Sequence, residues 1–161
     1  ALARLIADCE GSILVLGGRI TKTIAEYLFT HLHMVRPGLF LIPATPGLWP
    51  QYLLNMAAGD VLVVFDVRRY DPQALEFSRA ARQRGAKIVL VTNQWTSPIA
   101  GLAAFTVPLR VEAPSSWDSN IVPLFIVEAL IAAVANVRWP ETKKRIGALE
   151  ALSDAGRRKR T

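Results

Sequence analysis

A single cysteine, two histidines and the lack of any long uninterrupted apolar run set the first limits on this 161-residue chain. Cys9 has no partner for an internal disulfide, and with His31 and His33 it forms no metal-binding cluster, so neither a metal nor another cofactor is expected. Sparse cysteine makes a reducing cytoplasm the default compartment. Cys9 itself reads as a small buried hydrophobe on a helix. No charged segment leads into an apolar run and a cleavage site at the N-terminus, so no secretory leader is read there. The longest apolar stretch, Ile121 to Val137, is interrupted by Pro123, Glu128 and Asn136. It falls short of the roughly 20 residues a membrane span needs and reads as a buried helix.

Strong charge of one sign is also missing from most of the chain. The formal net charge is +6, yet residues 141–161 carry +4 of it and residues 1–140 only +2. The excess gathers in Arg157, Arg158, Lys159 and Arg160, a run that reads as a solvated, frayed end. The body is therefore not a DNA-binding surface by charge. The expected organisation is one domain over residues 1–153 and a basic tail over 154–161. The chain begins at Ala1 rather than Met, which suggests a piece cut from a longer protein.

Hydrophobic residues are plentiful, at 52% of the chain, enough for a well-buried core. Short apolar runs alternate with helical patterns. Strands are expected at Ser12–Gly17, Leu39–Ile42, Asp60–Phe65, Lys87–Thr92 and Phe105–Val111. Helices are expected at Thr21–Met34, Trp49–Ala57, Pro72–Arg84, Ser97–Ala103, Ser119–Val137 and Glu141–Leu152. Strands joined through helices require crossover connections and a parallel sheet. The fold class is therefore α/β, a three-layer α/β/α sandwich with five parallel strands.

Open parallel sheets bind ligands beyond the carboxyl ends of their strands. That rule selects loops 17–23, 66–71, 92–97 and 111–119. Three of them lead into helix N-termini, where backbone amides and the macrodipole favour anions. In the first, Gly17 and Gly18 allow a tight turn, Arg19 follows, and Thr21 can cap the helix. A plain strand-to-helix turn and a ligand-lining one are both compatible with it. G-x-G-x-x-G is absent, so a dinucleotide site is not indicated. In the second, Asp66, Arg68, Arg69 and Asp71 form an unusual cluster. The arginines suit a carboxylate or phosphate, and an internal ion-pair network is the alternative. The third offers Thr92, Asn93 and Ser97, with Ser97 placed to cap before Pro98. The fourth places Ser119 as a cap of the long helix, with its hydroxyl near the same cleft.

These features together resemble the SIS (sugar isomerase) domain, most closely the C-terminal ligand-sensing domain of RpiR-type transcriptional regulators. The resemblance rests on Val15-Leu-Gly-Gly-Arg-Ile-Thr-Lys-Thr-Ile-Ala25, Gly59-Asp-Val-Leu-Val-Val-Phe65, Arg84-Gly-Ala-Lys-Ile-Val-Leu-Val-Thr92 and Thr96-Ser-Pro-Ile-Ala100. It implies a flavodoxin-like sheet, a homodimer, and recognition of a phosphosugar at the helix N-termini. It also implies contact with DNA only through a helix-turn-helix domain, which is absent from this chain. Two loops depart from the family pattern. Arg19 stands at the second glycine of G-x-G-x-S and Thr21 at its serine. Asp66, Arg68, Arg69 and Asp71 stand at the two serines, the glycine and the threonine of S-x-S-G-x-T. The loop then takes a different anion, such as a sugar acid, or the cleft binds nothing.

The leading expectation is a sensor of a small anionic metabolite, without catalysis or membrane contact. A sugar-phosphate isomerase is the first alternative. It would need a base, for which Glu112 and Asp66 are placed after strands while His31 and His33 lie far from the loops. A ligand-free dimerisation module is the second.

Overall fold

In the computed structural model, residues 1–158 are described, with side chains to residue 155. Lys159 and Arg160 of the expected tail lie outside the described residues, as do the side chains of Arg157 and Arg158.

Five short runs of aliphatic and β-branched residues form the strands β1 (Ile13–Gly17), β2 (Leu39–Leu41), β3 (Val61–Phe65), β4 (Lys87–Asn93) and β5 (Phe105–Leu109). All pair in parallel, in the order β2-β1-β3-β4-β5, with Val15 between Leu41 and Val63 and Val63 beside Val89. The chain leaves β1 in one direction to reach β2 and in the other to reach β3, so the topological switch falls between β1 and β3.

Alternate residues of the strands build two cores. Val15, Val63, Phe65 and Val89 face α1 (Leu2–Ala7), α2 (Lys22–Val35) and α5 (Ile121–Val137). Leu14, Leu62, Val64 and Leu90 face α3 (Trp49–Leu54) and α4 (Pro72–Gln83), with Trp49 and Phe77 edge to face at 5.4 Å. The three layers are those expected. The segment at 97–103 is a 3₁₀ turn, Pro98–Leu102, rather than an α-helix, and α3 is shorter than expected and preceded by a 3₁₀ turn at Pro46–Leu48. A final helix, α6 (Trp139–Arg158), begins before Glu141 and continues into the stretch expected as tail.

Two expectations are overturned. Cys9 is buried, but it follows α1 instead of lying on a helix, and its Sγ lies 3.3 Å from the Gly59 carbonyl. The helix α5 is not buried all round. Pro123, Val127 and Val134 pack inward, whereas Ile121 is 77% and Phe125 66% exposed. The reason is positional: α5 rests on α1 and α2 along one face, and its other face is uncovered. Among the described residues no single helix is long and apolar enough to cross a membrane.

Arg36 is a buried charge that sequence patterning did not single out. It ends α2 and reaches back to the carboxyl end of α1, donating to the carbonyls of Ile6, Cys9 (2.8 Å), Gly11 (3.3 Å) and Pro37 (3.1 Å).

Candidate ligand-binding cleft

A cleft of about 500 Å³ opens at the carboxyl ends of β1 and β3, on the topological switch. Its walls come from residues 18–21 after β1, 65–72 after β3, and the segment from Val111 to Asn120 before α5. Seven of the expected site residues meet there: Gly18, Arg19, Thr21, Asp66, Arg68, Arg69 and Asp71.

Each loop closes by local chemistry. The Gly17 Cα faces α2 so closely that a Cβ would come within 2.6 Å of the Lys22 Cα, so this glycine serves packing and not the cleft. Thr21 sits at the start of α2, but its hydroxyl does not cap the helix. It accepts from Gly18 N–H (2.9 Å) and donates to the Phe65 carbonyl (3.1 Å), which ties the first loop to β3. The leading amides of α2 turn inward to the Gly18 and Ile20 carbonyls. At α4 the Asp71 carboxylate accepts from Gln73 N–H (2.9 Å), and at α5 the Ser119 hydroxyl accepts from Ile121 N–H (3.2 Å). All three helix N-termini thus hold internal partners. At least one leading amide of each helix is engaged internally, and guanidinium groups also face the cleft.

The carboxylates are engaged as well. Asp66 points inward, accepting from the Ser97 hydroxyl and from Asp71 N–H (3.3 Å). Neither Asp66 nor Asp71 forms an ion pair with the adjacent arginines, so the expected alternative of a network within this loop does not describe it. Arg68 instead pairs across the cleft, Nε to Asp118 Oδ1 at 2.9 Å, and lies over the Trp95 ring at 5.2 Å. Its φ of 62° is left-handed, a conformation a residue with a Cβ adopts at a cost. Arg19 and Arg69 are exposed on the cleft and form no ion pair among the described residues.

Thr92, Asn93 and Ser97 are buried behind the cleft instead of lining it. Asn93 Oδ1 accepts from the Tyr70 hydroxyl (2.7 Å), and the Thr92 hydroxyl accepts from Ser97 N–H (3.2 Å). Ser97 also caps its 3₁₀ turn, accepting from Ile99 N–H (3.1 Å). Ser119 lies beside the cleft without lining it. Tyr70, Ser116, Trp117, Asp118 and Asn120 line it and were not singled out from sequence. Glu112 accepts from the Gln94 amide outside the cleft, and His31 stacks on Tyr27 at 4.1 Å along α2.

Burial pushes the Asp66 carboxyl above the ordinary aspartate range, and the Ser97 hydrogen bond only partly opposes this. The native chain therefore keeps that proton to higher pH than the unfolded chain does. The associated stability is present at low pH and is lost as pH rises above the ordinary aspartate range. Asp66→Asn removes this dependence. Urea unfolding of both proteins at a series of pH values between about 4 and 7 should show the wild type losing ground to the variant as pH rises. Parallel curves would show that Asp66 titrates normally.

The chain was compared with known proteins. The SIS domain profile matches residues 5–133. The chain belongs to the SIS domain family. Among solved structures, this SIS domain resembles the sugar isomerase domain of the RpiR transcription factor from Sphaerobacter thermophilus, with a TM-score of 0.84 at 18% identity over 92% of this chain and 84% of that one. It resembles Vibrio vulnificus NanR complexed with ManNAc-6P, with a TM-score of 0.74 at 18% identity over 94% of this chain and 59% of NanR. It also resembles MJ1247 from Methanococcus jannaschii, for which a 3-hexulose-6-phosphate isomerase function was inferred. There the TM-score is 0.64 at 15% identity, over 89% of this chain and 82% of that one. At these identities the likenesses show a shared fold. No curated protein matches the chain.

Proposed function

We propose that this SIS domain is the cytoplasmic sensing domain of an RpiR-type regulator, binding a small sugar phosphate or sugar acid without turning it over. The observation that carries this reading is the pair of open guanidinium groups, Arg19 and Arg69, on a cleft whose carboxylates are all engaged. Guanidinium forks recognise phosphate and carboxylate alike through two parallel hydrogen bonds. NanR, of the same fold, is complexed with ManNAc-6P. DNA contact belongs to a helix-turn-helix domain outside this chain. The uncovered apolar face of α5, with Ile121 and Phe125, supports a homodimer.

A thermal-shift screen of sugar phosphates and sugar acids tests the reading. A ligand at a hundredfold excess over Kd stabilises by about 2.7 kcal/mol. Arg69→Ala should weaken the hit about tenfold or more, about 1.4 kcal/mol per decade. Sedimentation of the same samples should give a dimer that Phe125→Glu converts to monomer. A screen with no stabilising anion would leave a ligand-free dimerisation module, and turnover of the hit would make the domain an isomerase.

A further inference from the structure

Arg68 connects three loops of the cleft. Its backbone belongs to the loop after β3, its guanidinium lies over Trp95 after β4, and its Nε contacts Asp118 in the segment that opens α5. Arg68 and Asp118 both line the cleft, so the carboxylate of Asp118 stands where an anionic ligand would meet this guanidinium. A side-chain carboxylate and a ligand carboxylate or phosphate are the same kind of partner for it.

We propose that Asp118 is a built-in competitor, whose carboxylate fills the Arg68 anion subsite of the unliganded domain and is displaced by the ligand's anionic group. The proposal rests on the sensing role proposed above and assigns Asp118 the setting of affinity. Two observations favour competition over a purely structural pair. The Arg68 and Asp118 side chains are 47% and 30% exposed, and an ion pair so open to water adds little to folding. The contact runs through Nε, whereas a free oxyanion can rotate to take two guanidinium N–H groups at once.

Displacement also has somewhere to go. Asp118 lies three residues before Ile121, where α5 begins, and the exposed Ile121 and Phe125 follow within the first turns of that helix. Releasing Asp118 removes the link between the loop after β3 and the start of α5. Ligand occupancy is thereby coupled to the uncovered apolar face of α5, and the coupling is reciprocal: whatever covers that face alters ligand affinity by the same factor.

The test is a calorimetric titration with inorganic phosphate at constant ionic strength, on the wild-type chain, Asp118→Asn, Asp118→Glu and Arg68→Ala. Competition predicts that Asp118→Asn binds phosphate about three- to fivefold more tightly than wild type, the size of an exposed ion pair. Asp118→Glu should return towards wild type, and Arg68→Ala should bind more weakly. Tryptophan emission should respond to phosphate through Trp95, and Trp95→Phe should abolish that part of the response. If Asp118 instead positions Arg68 for the ligand, Asp118→Asn will bind equally or more weakly; that overturns the proposal and leaves the sensing role standing. If neither the wild type nor Asp118→Asn binds phosphate, the competition proposal fails, and the sensing role stands or falls by the thermal-shift screen alone.

Discussion

Replacing Arg36 by methionine should destabilise the domain by about 3 kcal/mol, read as a fall of roughly 6–12 °C in melting temperature. The side chain is buried, and its guanidinium donates to four backbone carbonyls, those of Ile6, Cys9, Gly11 and Pro37. Methionine keeps much of the stem's packing and none of the donors. Carbonyls left buried and unpaired cost about 1–3 kcal/mol each, partly offset because the guanidinium no longer has to be desolvated. Among the described residues no carboxylate pairs with Arg36, so its charge is compensated by carbonyl dipoles at the negative end of α1. Arg36→Lys should recover less than half the loss, because an ammonium cannot reproduce the fork. A loss below about 1 kcal/mol by urea unfolding would mean that water replaces the donors readily.

The second large effect is expected at Gly17. An alanine Cβ there would lie 2.6 Å from Lys22 Cα, 2.8 Å from Lys22 N and 2.9 Å from Ala25 Cβ. Two of these atoms are backbone, so the clash cannot be relieved by a rotamer change. The first turn of α2 must move away from β1, and about 3 kcal/mol or more is expected. The same displacement carries Thr21 away from Gly18 N–H and the Phe65 carbonyl. Gly17→Ala should therefore lose anion binding along with stability. Gly18→Ala is the control: its Cβ would meet nothing closer than the Thr21 hydroxyl at 3.3 Å. Equal losses in the two variants would contradict the steric account.

The sheet was legible from sequence because parallel strands covered on both faces leave continuous apolar runs, as in Val61 to Phe65. The six residues of α1 were too short to show a helical period. The hydrophobicity of α5 was legible but its exposure was not, since every residue from Ile121 to Leu124 is apolar and only tertiary neighbours decide which side is covered. For the site, the rule for parallel sheets selected three loops that contribute to the candidate cleft and a fourth whose Thr92, Asn93 and Ser97 lie behind it. It could not say which residues of a loop turn inward. Asp66 lies within three residues of two potential cationic partners and bonds instead to Ser97, 31 residues away, while Arg68 finds Asp118. Such pairings depend on where separate loops come to rest, and no local spacing encodes that.

The strand order also bears on how the chain is assembled during synthesis. β1 and β2 can pair first; β3 then joins the free side of β1, and β4 and β5 follow outward in turn. Each strand as it emerges from the ribosome finds an open edge waiting, and none has to be threaded between two already joined. The cleft keeps a different timetable, since its last wall runs to Asn120. A nascent chain halted after β5 can hold a finished sheet whose cleft still lacks its third wall.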